Sequence, residues 1–531
     1  MKELLTLVAG LVLALGASAE TDDTIFRGGR VVDGSGNPAC FADVAVKDGK
    51  IVKIGHFTDD ARTVIDATHL IVAPGFIDVH THADDVAEHP LAENFIRMGV
   101  TTIVVGNCGG SKLDIAGLFR DLATTGVTLN VASLIGHNTV REAAMGGDFD
   151  RPPTDAELAH MKALVDRAMQ DGAVGLSTGL IYLPGTYAKT DEIVALARVI
   201  APYQGIYTSH MRHEDARIYS ALDEVFQVAR QAGVRAEVSH IKLSGENAWG
   251  HADQVLAYIE KARAEGLDIT QDQYAYTASS TTLRQLIPDE AFDGGEGKFF
   301  KYLADPDHKA RLVQEMKASL KNRHRTDYAY AVIADYSHDP SLDGLDIVQA
   351  AQKLQHSDSL DAQIETIFEI QTNGSGSGVF HGMDEPDLQK FMQHPNTMIA
   401  CDSGIRVFGE GVPHPRGYGN NARVLGRYVR ELHVLRLEDA IRKMTSLPAN
   451  TFQFANRGEL RVGNWADIVV FDPEKVLDQA TYTDPHHYPL GIPDVMVNGQ
   501  LVLKDGAITA ARPGQALRHA ANPVQNLPGG S

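Results

Sequence analysis

Residues 75–84 read GFIDVHTHAD. A short apolar run, too short for a typical helix, ends in two histidines separated by one residue. Successive side chains of a strand point to opposite faces, so His80 and His82 share one face. A run that is apolar on both faces suits a strand of a parallel sheet, which is covered on both sides. Seven more runs of the same character follow: TTIVVGNCG (101–109), LNVASLIGH (129–137), AVGLSTG (173–179), GIYTSH (205–210), RAEVSH (235–240), LDITQDQY (267–274) and TMIACDSG (397–404). Between several of them lie stretches of 3.6-residue periodicity, such as DAELAHMKALVDRAMQDG (155–172) and ALDEVFQVARQAGV (221–234). Eight strands with helices between them predict an α/β fold, a (β/α)8 TIM-like barrel over residues 74–455.

Outside the barrel the pattern changes. Residues 20–73 and 456–510 alternate apolar and polar residues between glycine turns, as in IFRGGRVVDGSG (25–36) and DVMVNGQLVLKDG (494–506). They predict a small β-sandwich built from both termini. Residues 283–390 break the βα rhythm with charge-rich helical sequence, and are expected to be an insertion between the last two barrel strands. Residues 511–531 are expected to be a flexible tail.

The chain has 531 residues, 44% of them hydrophobic, enough for a large core. Its net charge of -21 leaves no basic footprint for nucleic acid. Residues 1–19, MKELLTLVAGLVLALGASA, carry a basic start, a short apolar run and an A-x-A site, so cleavage is expected after Ala19 and the mature protein is expected to be periplasmic or secreted. No other run is apolar and long enough to span a membrane. Three cysteines, Cys40, Cys108 and Cys401, cannot form a disulfide framework, and the odd count leaves a thiol free for a metal.

Chemistry-bearing residues fall at the C-terminal ends of the strands, the rim that carries function in such barrels. His80 and His82 end the first strand, Cys108 the second, His210 the fifth, His240 the sixth and Asp402 the eighth. Imidazole, thiolate and carboxylate together suit zinc, which acidifies water and polarises carbonyls. A carboxylate at the same place can shuttle the proton, and these parts suit amide hydrolysis. Arg416, Tyr274 and Ser279 offer a carboxylate clamp. Lys242 follows His240 on the same face, while His213 and Glu214 follow the His210 turn and would orient ligands. His89, His251, His486 and His487 read as surface residues.

These motifs resemble the amidohydrolase superfamily and, within it, the N-acyl-D-amino-acid deacylases (D-aminoacylases). The resemblance covers residues 24–510 and rests on GFIDVHTHAD, GNCG (106–109), GLSTGLIYLPGTYAKTDE (175–192), SHMRHE (209–214), SHIK (239–242), YAYTASS (274–280), HPRGYG (414–419), KMTSLPAN (443–450) and GNWADIVVFDP (463–473). It implies one tight zinc held by Cys108, His210 and His240, and a second, weaker metal position at His80, His82 and Asp402. It implies that Asp402 takes a proton from the attacking water and hands it to the leaving amine. Arg416, Tyr274 and Ser279 would grip the α-carboxylate of a D-amino acid, with Lys242 beside the substrate. The chain departs from the family pattern at Ala275 and at Asn420-Asn421-Ala422, around the substrate and not at the metal. Apart from Arg284 no arginine stands out for an acidic side chain, so a neutral or apolar D-residue is expected.

Two other functions fit the same residues. A D-aminopeptidase or dipeptidase cleaving L-Xaa-D-Xaa bonds would need an acidic partner for the substrate's free amine. A non-catalytic periplasmic metal-containing binding protein would have no use for Asp402 as a base.

Overall fold

The computed structural model describes residues 21–293 and 295–519. The expected signal peptide and residues 520–531 lie outside the described residues. Eight parallel strands pair in chain order: Phe76–Asp78, Val100–Val105, Asn130–Ser133 continued by Ile135–Gly136, Gly175–Gly179, Ile206–His210, Arg235–Val238, Ile269–Gln273 and Thr397–Ile399. The ring closes just beyond these ranges. Asp402 donates its N–H to the carbonyl of His80 at 2.9 Å, and His82 donates to the carbonyl of Ser403 at 3.0 Å. The rung that shuts the barrel is therefore the one that carries three expected ligands.

The strands are buried on both faces, which is why those such as Val100–Val105 and Thr397–Ile399 read as largely apolar runs. The helices between them stop and start on local signals. Thr154 and Glu157 form a reciprocal capping box ahead of Asp155–Asp171, and Gly172 ends that helix with φ 109°.

Nine strands from both ends of the chain form the small β domain as one continuous sheet. Its edge at Lys50–Gly55 bonds back to residues 463–466: Ile51 donates to Asn464 O and Ala466 donates to Gly49 O. The sheet so closes around its own core of Phe26, Val44, Ile51, Ile468, Val470 and Met496. Alternate residues of the same strand, Val469 and Phe471, pack into the barrel core instead.

The insertion begins at the strand Ala278–Thr282, ahead of the expected residue 283, and ends before the helix Glu385–Gln393. Its sheet of Ala278–Thr282, Ala331–Asp335 and Ser377–His381 and its helices share a separate core that includes Leu283, Phe299, Leu312, Ile333 and Phe368. The next helix, Glu385–Gln393, places Leu388, Phe391 and Met392 in the barrel core, so it belongs to the barrel. Residues 511–519, expected to be flexible, are instead tied down. Val131 donates to Gln515 O, Leu517 to Val131 O and His519 to Gly172 O. No helix of the described residues is long and apolar enough to cross a membrane.

Candidate metal centre

The six residues at the strand ends meet at one point. The Cys108 Sγ lies 3.2 Å from His80 Nε2, 3.6 Å from His210 Nδ1 and 3.7 Å from His240 Nε2. Asp402 Oδ1 lies 3.1 Å from His82 Nε2 and 3.5 Å from His80 Nε2. Three overlapping sets, His80/His82/Cys108, Cys108/His210/His240 and His80/His240/Asp402, each hold their donor atoms within 4.8 Å of one another. All are buried except His82, whose side chain keeps 43% of its surface open. His210 turns its Nδ1 toward the Cys108 thiol, while its Nε2 faces Glu214 at 3.8 Å. Borderline-soft nitrogen and sulfur donors at this spacing fit zinc.

The backbone is bent to bring them there. Cys108, His240 and Asp402 all adopt left-handed φ angles of 53°, 37° and 51°. Glycines make room: a Cβ on Gly179 would stand 2.0 Å from the Cys108 carbonyl oxygen, and one on Gly136 would stand 2.2 Å from Gly109 O.

Charge is matched closely. Burial alone would raise the Cys108 thiol, but the charge of His80 and hydrogen bonds from three imidazoles hold it well below its ordinary value. Asp402 would likewise be raised by burial, yet Arg416, with Nη1 at 2.8 Å, and His80 hold its carboxyl well below the usual range. Glu214 accepts from Lys242 and stands 3.1 Å from His240 Nδ1, so it orients that ring. Against the penalty of burial, the charges of Lys242, His210 and His240 keep Glu214 ionised.

A cleft opens above the centre, with His210, His240 and Asp402 on its floor. Ser279 and Lys242 line it, as do His213 and Glu214. The other two expected substrate contacts do not. Arg416 and Tyr274 are buried behind Asp402, the guanidinium stacked 4.5 Å from the ring, and the Tyr274 hydroxyl faces the Met383 sulfur. Arg284 packs over Phe292 at 4.1 Å and is not part of the lining. Of the histidines read as surface, His89, His251 and His487 are exposed, but His486 is half-buried, bridging Gly411 O and the Tyr418 hydroxyl.

Two residues at the centre escaped the sequence reading. Asp272 presents one oxygen to His80 Nδ1 at 3.1 Å and the other to the N–H of His240 at the same distance, so one carboxylate sets two ligands. Tyr182 stacks edge-on against His210 at 4.6 Å and lines the cleft. Asp272 sits inside the polar run TQDQ, and Tyr182 follows its strand by a turn, so neither is marked by spacing.

Comparison with known proteins agrees with this geometry. The amidohydrolase family matches residues 63–503. D-aminoacylase of Alcaligenes xylosoxydans xylosoxydans is 35% identical over 94% of this chain and 98% of its own length. N-acyl-D-glutamate deacylase of the same organism is 36% identical over 94% and 97%. The crystal structure of N-acyl-D-glutamate deacylase from Bordetella bronchiseptica, complexed with zinc and a phosphonate inhibitor, superposes with a TM-score of 0.80 at 34% identity, covering 94% of this chain and all of that one. A D-aminoacylase with a binuclear metal centre also superposes with a TM-score of 0.80, at 33% identity, over 94% of this chain and 100% of that one.

Proposed function

On the premise that the chain belongs to the amidohydrolase family, we propose that it is a zinc-dependent hydrolase of N-acyl-D-amino acids, releasing a carboxylate and a free D-amino acid. The observation that carries this reading is the meeting of the Cys108 thiol, four imidazoles and Asp402 at one centre, whose His210, His240 and Asp402 line a cleft. Cys108, His210 and His240 would hold the tighter ion, and His80, His82 and Asp402 a second, weaker position. Zinc held there supplies Lewis acidity toward water and the amide carbonyl. Asp402, ionised beside Arg416, accepts the proton of the attacking water and passes it to the departing nitrogen. Arg416 and Tyr274 brace Asp402 from behind. Ser279 and Lys242 lie on the cleft wall, where the substrate's α-carboxylate would be held.

The dipeptidase reading fits less well. A free substrate ammonium wants an unpaired carboxylate, but the cleft's acids are each engaged: Glu214 with Lys242, Asp215 with Arg217 and Asp402 with Arg416. A metal-containing binder without catalysis has no use for Asp402 as a base.

A matched library of N-acetyl-D- and L-amino acids, assayed with zinc-loaded protein, tests the reading. Hydrolysis of D-enantiomers with little or none of their L-partners is expected; hydrolysis of L-compounds alone, or of neither, contradicts it. The composition of residues 1–19 supports export, and N-terminal sequencing of the mature protein should then begin at Glu20.

A further inference from the structure

The insertion contributes its own wall to the cleft, with Arg323, Arg325, Tyr330 and Phe380. The helix Pro306–Asn322 ends there, and its last turn fixes the two arginines. The amides of Arg323 and Arg325 both donate to Leu320 O, at 3.0 and 2.9 Å, while His324 between them takes a left-handed φ of 57°. The Arg325 guanidinium lies 4.1 Å over the Tyr330 ring and donates Nη2 to His381 O at 2.7 Å. It is thus held in place while its remaining N–H groups stay available. The cleft's other arginines are already paired, Arg212 with Glu224 and Arg217 with Asp215. Among the described residues neither Arg323 nor Arg325 forms an ion pair with a carboxylate. Arg323 is exposed and Arg325 half-buried, so both guanidiniums stand at the cleft wall without a carboxylate partner. A helix C-terminus favours cations in general, but Lys321 on the same turn already serves that role.

Resting on the hydrolase reading above, we propose that Arg323 and Arg325 receive a second carboxylate of the substrate, so that the enzyme selects dianionic N-acyl-D-amino acids. This replaces the expectation of a neutral or apolar D-residue. A planar fork of N–H donors matches a carboxylate, and unpaired cations at a cleft draw anions toward it. The second carboxylate belongs either to an acidic D-side chain or to a dicarboxylic acyl group.

The test compares kcat/KM for N-acetyl-D-glutamate, N-succinyl-D-leucine and N-acetyl-D-leucine on the zinc-loaded enzyme and on Arg323→Ala, Arg325→Ala and the double variant, with melting curves to verify folding. At least one dianion should exceed N-acetyl-D-leucine by about tenfold or more, the scale of one charge-assisted hydrogen bond. The double variant should lose that advantage while its kcat/KM for N-acetyl-D-leucine stays within about twofold. The dianion that loses most identifies which end of the substrate meets the wall. Equal or faster turnover of N-acetyl-D-leucine by the wild type, or an equal fall for all three substrates in the variants, overturns the proposal alone. No turnover of any of the three overturns the hydrolase reading and the proposal with it.

Discussion

Cys108, His240 and Asp402 occupy backbone conformations that residues other than glycine rarely adopt. Each such residue costs of order 1–3 kcal/mol, held in place by the surrounding structure. At Cys108 that support includes the absence of a side chain at Gly179. Gly179→Ala should push the Cys108 loop outward, destabilise the fold by about 1–3 kcal/mol and lower zinc content, measured by denaturant unfolding and elemental analysis. Asp402→Asn should separate catalysis from metal binding. Asparagine tolerates the left-handed conformation and keeps the shape, but it cannot take a proton. Turnover should fall by about 10²–10⁴-fold while zinc at Cys108, His210 and His240 remains. At this scale the sequence was legible where strands end: His80, His82, Cys108, His210, His240 and Asp402 are marked by the rim they share. The residues that support them were not, because Asp272 and Tyr182 act through contacts that only the closed barrel creates.

Among elements, the eighth strand is anchored from below by a buried lysine. Lys443, on the helix Leu437–Met444, donates to His394 O and to Thr397 O at the start of that strand. Burial pushes its ammonium down to about 7 from an ordinary 10.5. Below pH 7 both folded and unfolded chains carry the proton, so this group gives no slope. Between pH 7 and 10.5 the unfolded chain holds a proton that the folded chain has released, and stability rises with pH. The rise approaches about 1.4 kcal/mol per pH unit. Urea unfolding at pH 7, 8 and 9 should show this component in the wild type and its loss in Lys443→Met; parallel slopes in the two proteins would refute it. Strands such as Val100–Val105 were readable because burial on both faces leaves an apolar run, whereas Ile269–Gln273 is buried but mostly polar. The end of the insertion was not readable, since the helix Glu385–Gln393 has the same 3.6-residue period as the helices before it, and only packing assigns it to the barrel.

For the molecule as a whole, the two chain ends build the β domain, and the C-terminal segment then crosses the barrel. Its bonds run from Gln515 and Leu517 to Val131, and from His519 to Gly172. Leu517 packs against the cluster containing Val79, Val104, Ala132 and Met398. The polar composition of 511–531 hid this, because its hydrogen bonds run through the backbone. Removing residues 511–531 should lower the melting temperature by several degrees and leave zinc content and kcat unchanged; an unaltered melting temperature would show that the strap carries no stability.

A zinc ion at the barrel mouth should bind a single thiolate among imidazoles. X-ray absorption at the zinc edge of the metal-loaded protein measures this directly. The expected spectrum contains one sulfur neighbour at about 2.3 Å with nitrogen and oxygen neighbours at about 2.0–2.1 Å, and loses the sulfur in Cys108→Ala. A zinc shell without sulfur in the wild type, or a sulfur shell that survives the substitution, would exclude Cys108 as the ligand.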